Sequence, residues 1–523
     1  MRDCCCYRIY CGIALVSLLI TGCGSGSPAP QAPVESEIVV SSESAISQAA
    51  SKKTSQAASA SPVNSSPKPG VNHTSNQNTA DVKTSAEKIP EVLYRPSDQR
   101  PIHNNQRLAL LGIHCYESPR LKLYTDIDPE LAATLPAVID QAYPALGDYF
   151  GPLPPDREGT EFQVTGYIMQ NRELFQKAGV ILESLPKIIN GRHLGAQFWI
   201  DAQSENYYQR HLMLHEYTHC YSMIMENIGA PVWYLEGIAE SMATHAIGKD
   251  GKIQFNVMPH NKDDFAGLGR ISLIKEAVQT APPKSMLEVM QFGPADFVNN
   301  NEAYAWSWAL CQFFDKHPHY AKPFRELPRH MQGTQFSHKI QQLIDDDFSE
   351  INDAWLLFAR NLLPGYDFER ATIAFAPGLP IDPDASATAT ITSDHGWQSS
   401  GMHVDQGSTY ELRAAGTFTL AEKPKPWEST ANGISFRYFK GQPLGRLTMM
   451  IRPEPGASNP DQRSILQEYP LGANATWMAT VSGTVYFRLN DAWNELADNQ
   501  GSVTVTVIQK KNADSGPASK TAD

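Results

Sequence analysis

With 523 residues, the chain exceeds what a single hydrophobic core organises, and two or three domains are expected. Its formal net charge is -13, with Asp and Glu spread along the chain and no run rich in Lys and Arg. That balance argues against nucleic acid as a partner, because binding phosphates needs clustered positive side chains.

The N-terminus reads as a targeting segment. Arg2 and Arg8 supply positive charge, and residues 9–20 form an apolar run too short to span a bilayer comfortably. The run ends in Leu19-Ile20-Thr21-Gly22-Cys23, which resembles the lipobox of bacterial lipoproteins. That resemblance implies a signal peptide and lipobox over residues 1–23, acylation of Cys23, and an extracytoplasmic, lipid-anchored place in the bacterial cell envelope. A plain secretory peptide or a weak membrane anchor is the alternative. Outside this segment only Cys115, Cys220 and Cys311 remain, which is no disulfide scaffold, so free buried thiols are expected. Residues 24–93 are Ser, Ala, Pro, Gln, Asn and Thr without hydrophobic period, and are expected to be a disordered tether holding a folded head off the membrane.

Order is expected from Tyr94. Strands are predicted at 107–116 and 121–125, then a helix over 127–149 with Leu131, Leu135, Val138, Ile139 and Ala142 on one face. A strand follows at 162–169, a short helix capped by Asn171 and stopped by Gly179, and another strand at 195–200. Helices are predicted at 206–226, 231–246 and 302–316, with further helical patterns from Ser337 as N-cap to Leu363. Residues 94–370 thus read as an α+β domain, a mixed sheet followed by helices. From 371 the texture changes to short alternating runs separated by Gly, Asn, Asp and Pro, which predicts an all-β sandwich domain over 371–512 and a disordered tail over 513–523.

The strongest chemical signal is His215-Glu216-Tyr217-Thr218-His219 within the helix predicted at 206–226. Residues four apart on a helix share a face, so both imidazoles reach one ion, and Glu216 reaches a metal-bound water from the side. A turn over 227–231 reverses the chain into Val232-Trp233-Tyr234-Leu235-Glu236-Gly237-Ile238-Ala239-Glu240, which can aim Glu236 at the same ion. His211, one turn before His215, is the rival third ligand. Glu240, one turn after Glu236, orients a ligating His or else belongs to a solvated helix face.

HExxH followed by an aromatic-aliphatic-Glu-Gly-aliphatic-Ala-Glu string resembles the gluzincins of the peptidase-MA superfamily. The resemblance covers about residues 95–365 and implies an HExxH metallopeptidase domain, Zn²⁺ on His215, His219 and Glu236, and Glu216 as general base. It also implies Tyr304, at the head of a later helix, as donor to the oxyanion, with a core aromatic beside Trp306 and Trp308 as the alternative. The strand at 195–200 would be the edge on which an extended peptide substrate pairs. Sixteen residues separate His219 from Glu236, a departure from the aminopeptidase branch that the turn can absorb.

Near the C-terminus, Asn490-Asp491, then Glu495, then Asp498-Asn499-Gln500-Gly501-Ser502 place many oxygens between two strands. Such a loop suits Ca²⁺. The string resembles the PA-I type of bacterial galactose-binding lectin, which implies side-chain oxygens from Asp491, Asp498 and Asn499 and carbonyls from Glu495 and Leu420. The region around 427–432 departs from that family's sugar-contacting residues, and a plain Asn/Asp-rich turn is the alternative. Two functions stand open: zinc-dependent hydrolysis of a peptide or protein by a membrane-tethered enzyme, or a catalytically silent surface protein attaching to carbohydrate through the lectin-like domain.

Overall fold

The computed structural model describes residues 93–510 apart from 183, 184, 186, 187, 189, 190, 346, 384 and 455–463. The expectations for the segment up to residue 92, Cys23 included, and for the tail from 511 lie outside the described residues. Among the described residues no helix is long and apolar enough to cross a membrane.

The chain opens with α1 (Asn105–Leu110), where the alternation over 107–116 predicts a strand. The side chain of Asn104 accepts from the Arg107 N–H and caps a helical turn, and this local bond outweighs a weak apolar alternation of which only Leu108 and Ile113 are buried. Gly112, at φ 87, then turns the chain, leaving β1 only at His114–Glu117. After β2 (Leu121–Thr125), Asp128 caps α2 (Pro129–Phe150) by accepting from the Glu130 and Leu131 N–H groups, with Pro at the first helical position. Strand β3 (Val164–Met169) leads to α3 (Arg172–Ala178), capped by Asn171 and ended by Gly179 at φ 75.

A tight hairpin follows: β4 (Gly191–Leu194), a turn with Gly195 at φ 55, and β5 (Gln197–Asp201). The sheet order is β1-β2-β3-β5-β4, with β2, β3 and β5 parallel and the two outer strands antiparallel. The sequence reading of 195–200 as an edge strand is corrected here. Gly195 is the turn, β5 pairs on both sides, and the edge belongs to β4, whose short polar sequence gave no strand pattern.

Helices α4 (Asn206–Ser222) and α5 (Val232–Ala243) come next, then a small hairpin of β6 (Ala246–Ile247) and β7 (Ile253–Gln254). The helical part continues through α6 (Arg270–Thr280), α7 (Met286–Met290), α8 (Asn301–Lys316), α9 (Ala321–Phe324), α10 (Gln335–Ile344), α11 (Phe348–Asn361) and α12 (Phe368–Ala371). Ser337 lies inside α10 rather than capping it, because the chain leaves a turn at Gly333, φ 60, already helical. Helix α4 is buried on every side from Leu212 to Tyr221, its polar residues His215, Glu216, Thr218 and His219 included, the mark of a core helix.

The C-terminal part is β-rich, so the whole is a mixed α+β chain. Strands β8 (Leu379–Pro380), β9 (Ser386–Thr392), β10 (Gln398–Val404), β11 (Thr409–Ala415), β12 (Phe418–Thr419) and β13 (Glu428–Ser429) come first. They are followed by β14 (Asn432–Phe439), β15 (Gln442–Pro453), β16 (Tyr469–Pro470), β17 (Asn474–Met478), β18 (Gly483–Leu489) and β19 (Gln500–Gln509). One sheet runs β14-β15-β18-β10-β8 with β16 on β15, the other β13-β12-β19-β11-β17 with β9 on β19. Leu447, Met449, Val485, Phe487 and Leu489 of the first sheet meet Tyr410, Leu412, Val503, Val505 and Val507 of the second in one core.

The alternate residues of β15 and β18 point the other way. Met450 and Tyr486, with Trp397, Trp493 and Leu496, join the core of the helical part, alongside Trp355, Phe358 and Tyr366. That is why every residue of β18 is buried. Trp493 stacks on Tyr366 at 5.8 Å and lies 4.0 Å from the buried guanidinium of Arg488, while Arg452 pairs with Asp353 at 2.8 Å and Glu350 at 3.2 Å. A shared core predicts one cooperative calorimetric transition for both parts. Trp493→Ala is expected to lower stability by about 3–5 kcal/mol. Two well-separated transitions in the wild-type chain would contradict the shared core.

Candidate metal centre

Three features of the chain bring α4, α5 and α8 together. Asn227, at φ 64, begins the turn between α4 and α5, and the turn is pinned by Gly229 N–H donating to the Met331 carbonyl at 2.7 Å and Gly333 N–H to that of Asn227 at 2.8 Å. A Cβ on Gly229 would collide with the Gly333 carbonyl. Further on, a Cβ on Gly237 would collide with the Ser307 carbonyl and the Cys311 sulfur, so glycine is what lets α5 lie directly on α8.

The result is a convergence of donor atoms. One ligand atom each from His215, His219 and Glu236 lies within 4.8 Å of the others, and among the described residues no other group of three or more His, Cys, Asp or Glu does this. His215 Nε2 and His219 Nε2 are 3.1 Å apart, and Glu236 Oε2 is 3.2 Å from the first and 3.3 Å from the second. A tetrahedral ion with bonds of 2.0–2.1 Å has ligand atoms about 3.4 Å apart. The residues therefore fit zinc in donor type, number and spacing, and Glu236 retains enough exposure, 21 % of its side chain, to face an open side.

Behind the ligands stands a buried ion network. Glu240 is 2 % exposed, so the sequence alternative of a solvated face is corrected: α5 turns this residue inward against α4. Its Oε1 lies 3.2 Å from His215 Nδ1, and its Oε2 3.0 Å from His211 Nε2. Arg270, from α6, donates to both oxygens at 2.8 Å. His211 thus sits on Glu240 and is absent from the converging group. Burial opposes ionisation of Glu240, but Arg270 and the two imidazoles hold its carboxyl well below the usual range. Burial likewise lowers His215, and the carboxylates of Glu236 and Glu240 more than offset it, raising the ring to about 10.

Glu216 is buried beside the group, against the edge strand. A Cβ on Gly191 would collide with Glu216 Oε1, and His193 Nδ1 lies 3.6 Å from Glu216 Oε2. Tyr304, in the first turn of α8, has its ring centroid 6.2 Å from that of His215 and 5.0 Å from Phe297, with the Arg270 guanidinium carbon 5.7 Å away. Burial, then the carboxylates of Glu236, Glu216 and Glu240, push its hydroxyl far up, so it stays a proton donor. Gly191, His193 and Arg270 escaped the sequence reading: none belongs to a motif, and β4 and α6 had no legible pattern.

The C-terminal loop gathers less. Asn499 Nδ2 donates to Asp491 Oδ2 at 2.8 Å and to the Ser393 carbonyl at 3.0 Å, while Asn499 Oδ1 is buried without a protein partner. Burial raises Asp491 to about 6. The Glu495 carboxylate is engaged by Arg437 at 2.7 Å, Asp498 is exposed, and Leu420 is buried in the sandwich core. Arg488 donates to the Asp491 carbonyl at 2.5 Å. Of the three side chains expected to supply oxygens, Asp491 and Asn499 meet, and no role for calcium is derived from them. Cys115, Cys220 and Cys311 are free thiols.

No family model and no curated protein matches the chain. Among solved structures, a PllA-like lectin described as the EclA N-terminal domain is 16% identical over 24% of this chain and 95% of its own, with a TM-score of 0.19. IMPa metallopeptidase in complex with T-antigen is 11% identical over 74% of this chain and 46% of its own, TM-score 0.15. IMPa from Pseudomonas aeruginosa in complex with an O-glycopeptide is 12% identical over 48% of this chain and 24% of its own, TM-score 0.14. The chain spans less than half the length of both IMPa structures, and similarities this low carry no inference about activity.

If the three convergent residues are the ligands, chelator competition orders the variants. Glu236→Ala is expected to lose most zinc affinity, whereas Glu240→Ala and Arg270→Gln lose about 10- to 100-fold, through the orientation of His215. The reverse order would show that the wrong carboxylate has been assigned.

Proposed function

We propose that the chain is a zinc-dependent peptidase of the gluzincin type, with His215, His219 and Glu236 as ligands. The observation that supports this most is the convergence of those three donors with the buried carboxylate of Glu216 alongside and the open edge of β4 beyond it. Bound there, zinc supplies a water of pKa about 7 and polarises the scissile carbonyl.

The chain's own residues do the rest. Glu240 holds the His215 ring by its Nδ1 edge, so that Nε2 is presented to the metal side. Glu216 accepts the proton of the attacking water at a carboxylate oxygen and delivers it to the leaving amine. The Tyr304 hydroxyl, kept protonated by its surroundings, donates to the negative oxygen of the tetrahedral intermediate. Among the described residues β4 pairs on one side alone, and its other side would offer backbone N–H and C=O groups to an extended peptide, which would add a strand to the sheet.

A second reading, a silent protein that attaches to carbohydrate, draws on the exposed Phe436 and Tyr438 of the outer strand β14, flat aromatic faces that can stack on sugar rings. One comparison separates the two. The zinc-loaded wild type should cleave members of a peptide library, and Glu216→Gln should keep its zinc while losing about 100- to 10,000-fold in kcat. A Glu216→Gln protein as active as the wild type would refute the general-base role, and a zinc-loaded wild type without turnover would favour the silent reading.

A further inference from the structure

The edge strand β4 holds more than an open backbone. Gly191 and His193 are two residues apart on one strand and therefore share a face. Both meet Glu216, so that face is the one turned to α4. At Gly191 a side chain would collide with Glu216 Oε1 and stand 3.1 Å from Ile200, so the missing Cβ leaves the space that Oε1 uses. Two residues on, the His193 ring lies nearly parallel to that of His219, with centroids 4.6 Å apart and planes at 24°. That stacking fixes the plane of the His193 ring and leaves its Nδ1 edge 3.6 Å from Glu216 Oε2. The distance is just beyond a hydrogen bond, and catalytic hydrogen bonds are commonly long outside the transition-state complex and tighten within it. A quarter of the His193 side chain is exposed.

We propose that Gly191 and His193 form a clamp on the general base, in which His193 is a positioning residue whose Nδ1–H holds one oxygen of Glu216 while the bare face of Gly191 receives the other. The proposal rests on the zinc-peptidase reading above. It gives the two oxygens of Glu216 different duties. Oε2 is held by the imidazole, and Oε1, packed on the strand that would pair with the substrate, is the one free to carry the proton from water to the leaving amine. The clamp also ties catalysis to the edge strand itself, since a peptide that pairs with β4 would stiffen the element that holds the base.

The side chains of Asn and His place a nitrogen donor at similar positions, Asn Nδ2 standing for His Nδ1, whereas Gln stands for Nε2. In zinc-loaded full-length protein, His193→Ala should lower kcat about 10- to 100-fold with little change in KM and unchanged zinc affinity. His193→Asn should recover most of the loss and His193→Gln should not. Acetohydroxamate provides a readout besides turnover: it chelates zinc through two oxygens and shares its proton with the base, so its Kd reports the position of the Glu216 carboxylate. His193→Ala and Gly191→Ala should both weaken acetohydroxamate while retaining zinc. If His193→Ala keeps wild-type acetohydroxamate affinity, or Asn and Gln restore kcat equally, the clamp is refuted. The acetohydroxamate arm reads the clamp even in a protein that cleaves no peptide, so its failure is distinct from failure of the peptidase reading.

Discussion

Glu236 and Glu240 both reach the His215 ring, at 3.2 Å each, and carboxylates drawn out of water must be met by positive charge or lose their own. Much of the helical part can be understood as the means of meeting it. Arg270 comes from α6, a separate element, to take both oxygens of Glu240. The His211 and His215 rings each face Glu240 with one nitrogen. What remains is Glu236 against two ring nitrogens, the three donors that converge on one point.

The backbone meets this need through close approach rather than through long side chains. Gly229 lets the turn after α4 touch the 331–333 segment, Gly237 lets α5 lie on α8, and Gly191 lets β4 lie on Glu216. Each of these contacts joins an element that carries a ligand or the base to one that carries none. The β-rich part takes a share in the same scaffold: Tyr486, Trp493 and Met450 fill the far side of the helical core behind α11. The sheet containing β18 is therefore buried on both faces there, and its stability is coupled to that of the helices carrying the site.

Much of this was legible in the sequence where a local rule acted alone. Asn171 and Gly179 bound α3, and the heptad-like run beginning at Leu131 marked α2, because caps and apolar period are properties of neighbouring residues. The spacing of His215 and His219 on one helix, and the turn that returns Glu236 to them, were legible for the same reason. The misreadings came where a distant partner decided. The segment 107–116 looked like a strand because its cap at Asn104 lies outside the alternating run. Residues 191–194 gave no strand pattern because this edge strand carries Gly, Arg and His before its single apolar residue, Leu194. Arg270 was invisible because its meaning lies in Glu240, thirty residues earlier in the chain.

Zinc K-edge X-ray absorption on the purified, zinc-loaded full chain tests the metal centre most directly. The geometry predicts a low-coordinate shell of nitrogen and oxygen only, at about 2.0–2.1 Å, with the outer-ring scattering of two imidazoles. A shell containing sulfur, one with a single imidazole, or six oxygen neighbours would contradict the assignment of His215, His219 and Glu236.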